Sequence, residues 1–144
     1  MTEAAAESSQ VYTSCDELLQ NSELVDIRFY ELKSNRRDAA QKSTWGLNVL
    51  TQADDLEFLV RCKAEVDSDD AEFVVDAAAV FALSEAKGIP EPLMREFSER
   101  VGVMALFPYL RSAVFNLAAQ LGVERPVLPL LRHGELQLSA PDED

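Results

Sequence analysis

Leu56-Glu57-Phe58-Leu59-Val60-Arg61-Cys62-Lys63-Ala64-Glu65-Val66 carries an apolar residue at every even position and mostly charged residues at the odd ones. Side chains alternate across a strand, so this pattern predicts a segment with one buried face and one wet face. After a short polar link, Asp67-Ser68-Asp69-Asp70, the alternation resumes from Ala71 to Leu83 through Phe73, Val75, Ala77, Ala79 and Phe81. Two long strands joined by so tight a turn form an antiparallel hairpin. The second is rich in alanine (Ala77, Ala78, Ala79, Ala82), which leaves room for a helix to lie close to the sheet.

Towards the N-terminus, Val25, Ile27 and Phe29 alternate with Asp26, Arg28 and Tyr30, a strand from Leu24 to Leu32. Ser34 to Ser43 reads as a polar crossover loop. Thr44 to Thr51 is a further strand with Trp45, Leu47 and Val49 on one side, where Gly46 permits a bulge or a close approach. Ahead of these, Val11, Tyr12, Cys15, Leu18 and Leu19 recur at helical spacing and predict a short amphipathic helix over roughly residues 10 to 21. Ser14 and Glu17 have the capping-box spacing for its later part.

Towards the C-terminus, Gly88-Ile89-Pro90-Glu91-Pro92 ends the sheet region and Leu93, Met94, Phe97 and Val101 form a helical stripe that Gly102 interrupts. From Phe107 to Leu121 a second helix carries Phe107, Leu110, Val114, Leu117 and Leu121 at intervals of three and four, with Pro108 near its start and Gly122 closing it. Phe115 and Ala119 fall well away from that stripe. A helix with two apolar faces needs two partners, here its own sheet and a second subunit. Val123 to Leu138, interrupted by Pro126 and Pro129, reads as an extended surface segment. The chain divides into a disordered tail (1–10), one domain (11–138) and an acidic tail (139–144).

The 144 residues carry 26 acids against 13 bases, a net charge of −13 that repels a phosphate backbone, and only Arg36, Arg37 and Lys42 cluster as bases. Nucleic acid is therefore not an expected partner, and the charge keeps a protein with exposed apolar surface soluble. Cys15 and Cys62 have no metal or disulfide spacing, which points to a reducing, cytoplasmic setting. The sequence shows no basic leader and no apolar run of membrane-spanning length.

Chemistry is missing where an enzyme would need it. The single histidine, His133, has no nucleophile motif to serve, and the five glycines are too scattered for a phosphate loop. Asp67, Asp69, Asp70 and Glu72 lack the central glycine and closing glutamate of a calcium loop. No catalysis, metal or cofactor is expected. Trp45, at the junction of a polar loop and a strand, suits either a core or a binding surface.

Leu106-Phe107-Pro108-Tyr109-Leu110-Arg111, followed by a helix, a glycine near its end and Pro126-Val127-Leu128-Pro129-Leu130, resembles the export chaperone family SecB. Asp26-Ile27-Arg28-Phe29, Trp45 and Glu72-Phe73-Val74-Val75-Asp76 are similar to family segments in the same order, over roughly residues 22 to 131. The resemblance implies an α+β subunit: a four-stranded antiparallel sheet with helices packed on one face, here with a short N-terminal helix added. It implies assembly as a dimer of dimers (a homotetramer) through the long helix, and no cofactor. It further implies ATP-independent holding of unfolded or partly folded polypeptides, with delivery to the translocase ATPase SecA in export.

On that basis Trp45, Leu47, Val49, Phe107, Leu110 and Val114 are the expected client-binding residues, Tyr109, Ala113, Phe115 and Leu117 the oligomer interface, and Asp26 and Asp76 the translocase-docking acids. Export-type members carry an acid where Tyr30 stands and a longer C-terminus. The added N-terminal helix and short C-terminus look more like divergent SecB-like proteins, some of which protect an antitoxin. The competing reading is a non-enzymatic adaptor that uses the same apolar surfaces for one folded partner.

Overall fold

A computed structural model describes residues 10–38 and 43–128 of the chain. The expected acidic tail, and the expected extended segment from Pro129 onward with His133, lie outside the described residues, as does the N-terminal tail apart from Gln10. The element order is α1 (Cys15–Gln20), β1 (Ser22–Arg36), β2 (Thr44–Asp54), β3 (Glu57–Asp67), β4 (Ala71–Leu83), α2 (Glu91–Phe97) and α3 (Val103–Leu121). The strands form one antiparallel sheet in the order β1-β4-β3-β2.

The hairpin lies where its alternation places it. Phe58, Val60, Cys62, Ala64 and Val66 of β3 face the same side as Phe73, Val75, Ala77, Ala79 and Phe81 of β4, and all are buried under the helices. Phe97 of α2 meets Phe58 and Phe81 edge-on, with ring centroids 5.2 and 5.3 Å apart, the aromatic geometry favoured by ring quadrupoles. Burial, reinforced by the charge of Asp76, pushes the Cys62 thiol up to about 12, so it stays protonated and inert at neutral pH.

Three local expectations change. The N-terminal helix begins only at Cys15, because Val11 forms a parallel bridge with Gly88, in which the Tyr12 N–H donates to the Gly88 carbonyl and the Gly88 N–H to the Gln10 carbonyl. The capping pair is present: the Ser14 hydroxyl accepts from the Glu17 N–H at 3.1 Å. β1 runs on to Arg36, so the crossover begins later than expected, and two register shifts break its alternation between Leu24 and Asp26 and between Phe29 and Glu31. Leu24, Ile27, Phe29 and Leu32, rather than Val25, Ile27 and Phe29, therefore pair opposite the core-facing positions of β4.

Gly102 does not interrupt the helix. Ser98–Gly102 forms a π-helical turn that carries α2 directly into α3, and a Cβ at Gly102 would lie 2.5 Å from Val60 Cγ2. The missing side chain lets the helix press directly on Val60 of β3. Gly46, by contrast, has nothing within 4 Å and no register break beside it, so neither a bulge nor a close approach explains it. Gly122 closes α3 in the left-handed conformation (φ 73°).

The continuous helical stretch Glu91–Leu121 is long and apolar enough to cross a membrane by length and composition, contrary to the sequence reading. Its apolar side is accounted for in the fold. Leu93, Phe97, Val103, Leu106, Phe107, Leu110, Val114 and Ala118 are all buried in the core against the sheet.

Candidate functional site

Helix α3 lies over β4 and contacts β1 and β3, which leaves a flank on either side of it. On the β2 side, Trp45, Leu47 and Val49 alternate on the core face opposite Val66, Ala64 and Cys62, and each remains half-buried. The Trp45 ring meets Phe107 of α3 at 6.0 Å between centroids, tilted by 58°, and the Arg111 guanidinium lies 5.3 Å above the Phe107 ring. Next to Trp45 a cavity of about 500 Å³ opens between the β3–β4 hairpin tip and residues 124–128. Its wall is apolar at Trp45, Val66, Pro126, Val127 and Leu128 and charged at Asp67, Asp69, Asp70 and Glu124, with Arg125 the one cation among them. Apolar floor with a charged rim is the usual character of a site that accepts a varied, partly apolar ligand.

The β1 flank is different. Phe29 and Leu32 of β1 face Tyr109, Ala113 and Leu117 of α3 across a cavity of about 390 Å³. Phe29, Leu32 and Tyr109 are 44%, 53% and 45% exposed, and Leu24 and Val25 continue the apolar strip along this outer strand. So much apolar surface on an unpaired edge marks an interaction face.

The far side of the sheet carries the two acids. Asp26 is exposed beside Arg28, 3.3 Å away. Asp76 is only 7% exposed and accepts two hydrogen bonds from Arg61, at 2.9 Å each. Arg61 in turn lies 3.9 Å from the centroid of the Tyr30 ring. Bidentate pairing and stacking together engage both the charge and the plane of the guanidinium.

Of the curated proteins, the SecB-like chaperone SmegB of Mycolicibacterium smegmatis is 44% identical over 133 residues, which cover 92% of this chain and 91% of that protein. The chain belongs to the SecB-like chaperones. The solved structure of the Mycobacterium tuberculosis SecB-like chaperone Rv1957, in complex with a ChAD peptide from the HigA1 antitoxin, matches this fold with a TM-score of 0.70. It is 20% identical in sequence and covers 79% of this chain and 93% of that one. No family model matches the sequence.

Within this SecB-like fold the expected site residues divide. Trp45, Leu47 and Val49 share the β2 flank, where Phe107 backs Trp45 but is itself only 4% exposed and so offers a bound chain almost no surface of its own. Leu110 and Val114 do not join them: both are 0% exposed beneath α3, because they sit at the centre of its sheet-facing stripe, where no bound chain can reach. Tyr109, Ala113 and Leu117 share the β1 flank, whereas Phe115 is on the opposite side of α3, under the Arg125 guanidinium at 5.9 Å. Asp76 is tied into the sheet rather than offered at its surface.

Sequence reasoning also passed over two residues at the end of β1. Arg36 donates to the Leu121 carbonyl at 2.6 Å, and Arg37 donates to Asp67 at 2.5 Å and to Glu72 at 2.9 Å. Their clustering as bases was visible, but their partners lie 85, 30 and 35 residues away.

Proposed function

We propose that this SecB-like chaperone holds unfolded or partly folded polypeptide on its β2 flank without ATP, as a dimer of dimers in the cytoplasm. The observation that carries this reading is the apolar shelf of Trp45, Leu47 and Val49, which ends at the Trp45–Phe107 pair and the cavity beside it. A shelf of this kind recognises apolar side chains in general rather than one sequence. The β1 flank, with Phe29, Leu32, Tyr109, Ala113 and Leu117, supports assembly between copies. Neither role requires a catalytic group or a cofactor.

Of the two client roles, a dedicated client fits better than general export. The Rv1957 structure holds an antitoxin peptide, while one of the two acids that translocase docking would use, Asp76, is already paired with Arg61. Titrating the same ChAD peptide and a panel of unfolded proteins into the purified chaperone separates the roles. Tight binding of the peptide together with weak, ATP-independent suppression of aggregation is expected. Failure to hold any unfolded client at near-equal molarity, combined with one stoichiometric folded partner in a pull-down, would favour an adaptor.

A further inference from the structure

The cavity beside Trp45 has two walls that do not touch each other through their own secondary structure. One is the β3–β4 hairpin tip, represented by Asp67, Ser68, Asp69 and Asp70; the other is the segment 124–128 that follows α3. Between them ends β1. Arg36 is paired with Ala71, on the helix side of the sheet, and its guanidinium reaches the last carbonyl of α3, Leu121, immediately before the Gly122 turn that launches the second wall. Arg37 follows it and reaches the other way. Its backbone N–H donates to the Asp70 carbonyl at 2.8 Å, and one guanidinium nitrogen donates to both Asp67 and Glu72.

We propose that Arg36 and Arg37 are positioning residues for client capture: adjacent side chains on opposite sides of one strand end, each clipping one wall of the Trp45 cavity. Neither arginine lines the cavity, so their effect on a client passes through the walls. Arg37 acts on the acidic wall, through charge-assisted bonds stronger than neutral ones. Arg36 acts on the apolar wall, where a cation at a helix C-terminus satisfies a carbonyl that the helix leaves open. Without either clip the wall it holds swings free, and a bound apolar segment loses one side of its enclosure. The inference rests on the β2 flank being the client site.

Trp45 is the single tryptophan of the chain, so its fluorescence reports the cavity directly. The experiment uses the full chain and a neutral apolar nonapeptide free of tryptophan and tyrosine. Arg36→Ala and Arg37→Ala are expected to bind it roughly tenfold more weakly, mainly through faster dissociation. In the free, folded variants Trp45 should become more accessible to acrylamide, a change that mere loss of global stability does not produce. Arg36→Lys, which keeps a donor for the Leu121 carbonyl, should restore most of the affinity. Should Arg37→Ala fail to fold, Glu72→Gln removes the charge from one of its partners outside the cavity, leaving a neutral acceptor, and is expected to weaken binding in the same direction to a smaller extent. A wild-type protein that takes no peptide removes the client reading itself. Wild-type binding with unaltered affinity and unaltered Trp45 quenching in the variants overturns the clamp alone.

Discussion

The two flanks of α3 are built from the same materials and behave as different surfaces. β2 pairs with β3 in an unbroken register from Thr44 to Asp54, and its apolar side chains are half-covered, with an acidic rim at one end. β1 is broken by two register shifts and leaves Phe29, Leu32 and Tyr109 substantially exposed. Bulges twist an edge away from indiscriminate strand pairing, so the β1 flank suits one fixed partner of matching shape. The smooth, charged-rimmed β2 flank suits partners that come and go. Assembly on one side and client holding on the other is the division that the following predictions probe.

The largest expected effect comes from the element the two flanks share. Gly102→Ala places a methyl group 2.5 Å from Val60 Cγ2, and overpacking of this kind costs up to about 3 kcal/mol. Chemical denaturation should show that loss, with assembly and client binding falling together. Next, Trp45→Ala should weaken client binding by about 2 kcal/mol, the scale of an aromatic anchor, while the mass seen by sedimentation stays unchanged. Tyr109→Ala should do the reverse at about 1–2 kcal/mol, dissociating the assembly with client affinity per protomer preserved. If Tyr109→Ala abolishes client binding, the two flanks are not separable.

Why sequence analysis separated these flanks only in part follows from what periodicity can and cannot encode. The hairpin was legible almost to the residue, since β4 spans the anticipated Ala71 to Leu83 and β3 is shifted by one residue at each end. Uninterrupted period-two alternation leaves no other solution. β1 was misphased because each bulge inserts one residue into the count, as at Val25 and Tyr30. A π-helical turn disturbs the same spacing that a break would, so periodicity alone reads Gly102 as a break. In the site, Trp45 and Phe107 stood out by residue type. Phe107, Leu110 and Val114 share one helical stripe, and a stripe does not reveal that its own sheet covers it, leaving Phe107 only 4% exposed behind Trp45. Arg36 and Arg37 act through partners distant in sequence, which a local pattern cannot reveal.

The smallest effect lies at the far end of the molecule and leaves both flanks intact. Hydrogen bonds from Lys87, and then from the Thr13 N–H, lower the Glu17 carboxyl from 4.5 to about 2, and Lys87 also pairs with Glu85 at 3.1 Å. A carboxyl whose folded value is depressed contributes stability above its ordinary value and loses it as pH falls towards the folded one. The protection factor of the bridging amides of Tyr12 and Gly88, their exchange relative to the intrinsic rate at each pH, should therefore be steady from neutral pH to about 4.5 and fall between there and about 2. Glu17→Gln should remove that dependence. Client binding should not follow it at all.

The division of labour is tested most directly by hydrogen exchange of the assembled protein with and without an unfolded client. New protection is expected along β2 around Trp45, Leu47 and Val49 and in residues 123–128, with β1 unchanged if its flank is the proposed assembly face. New protection confined to Phe29 to Leu32 and the Tyr109 side of α3, with β2 unaltered, would contradict it.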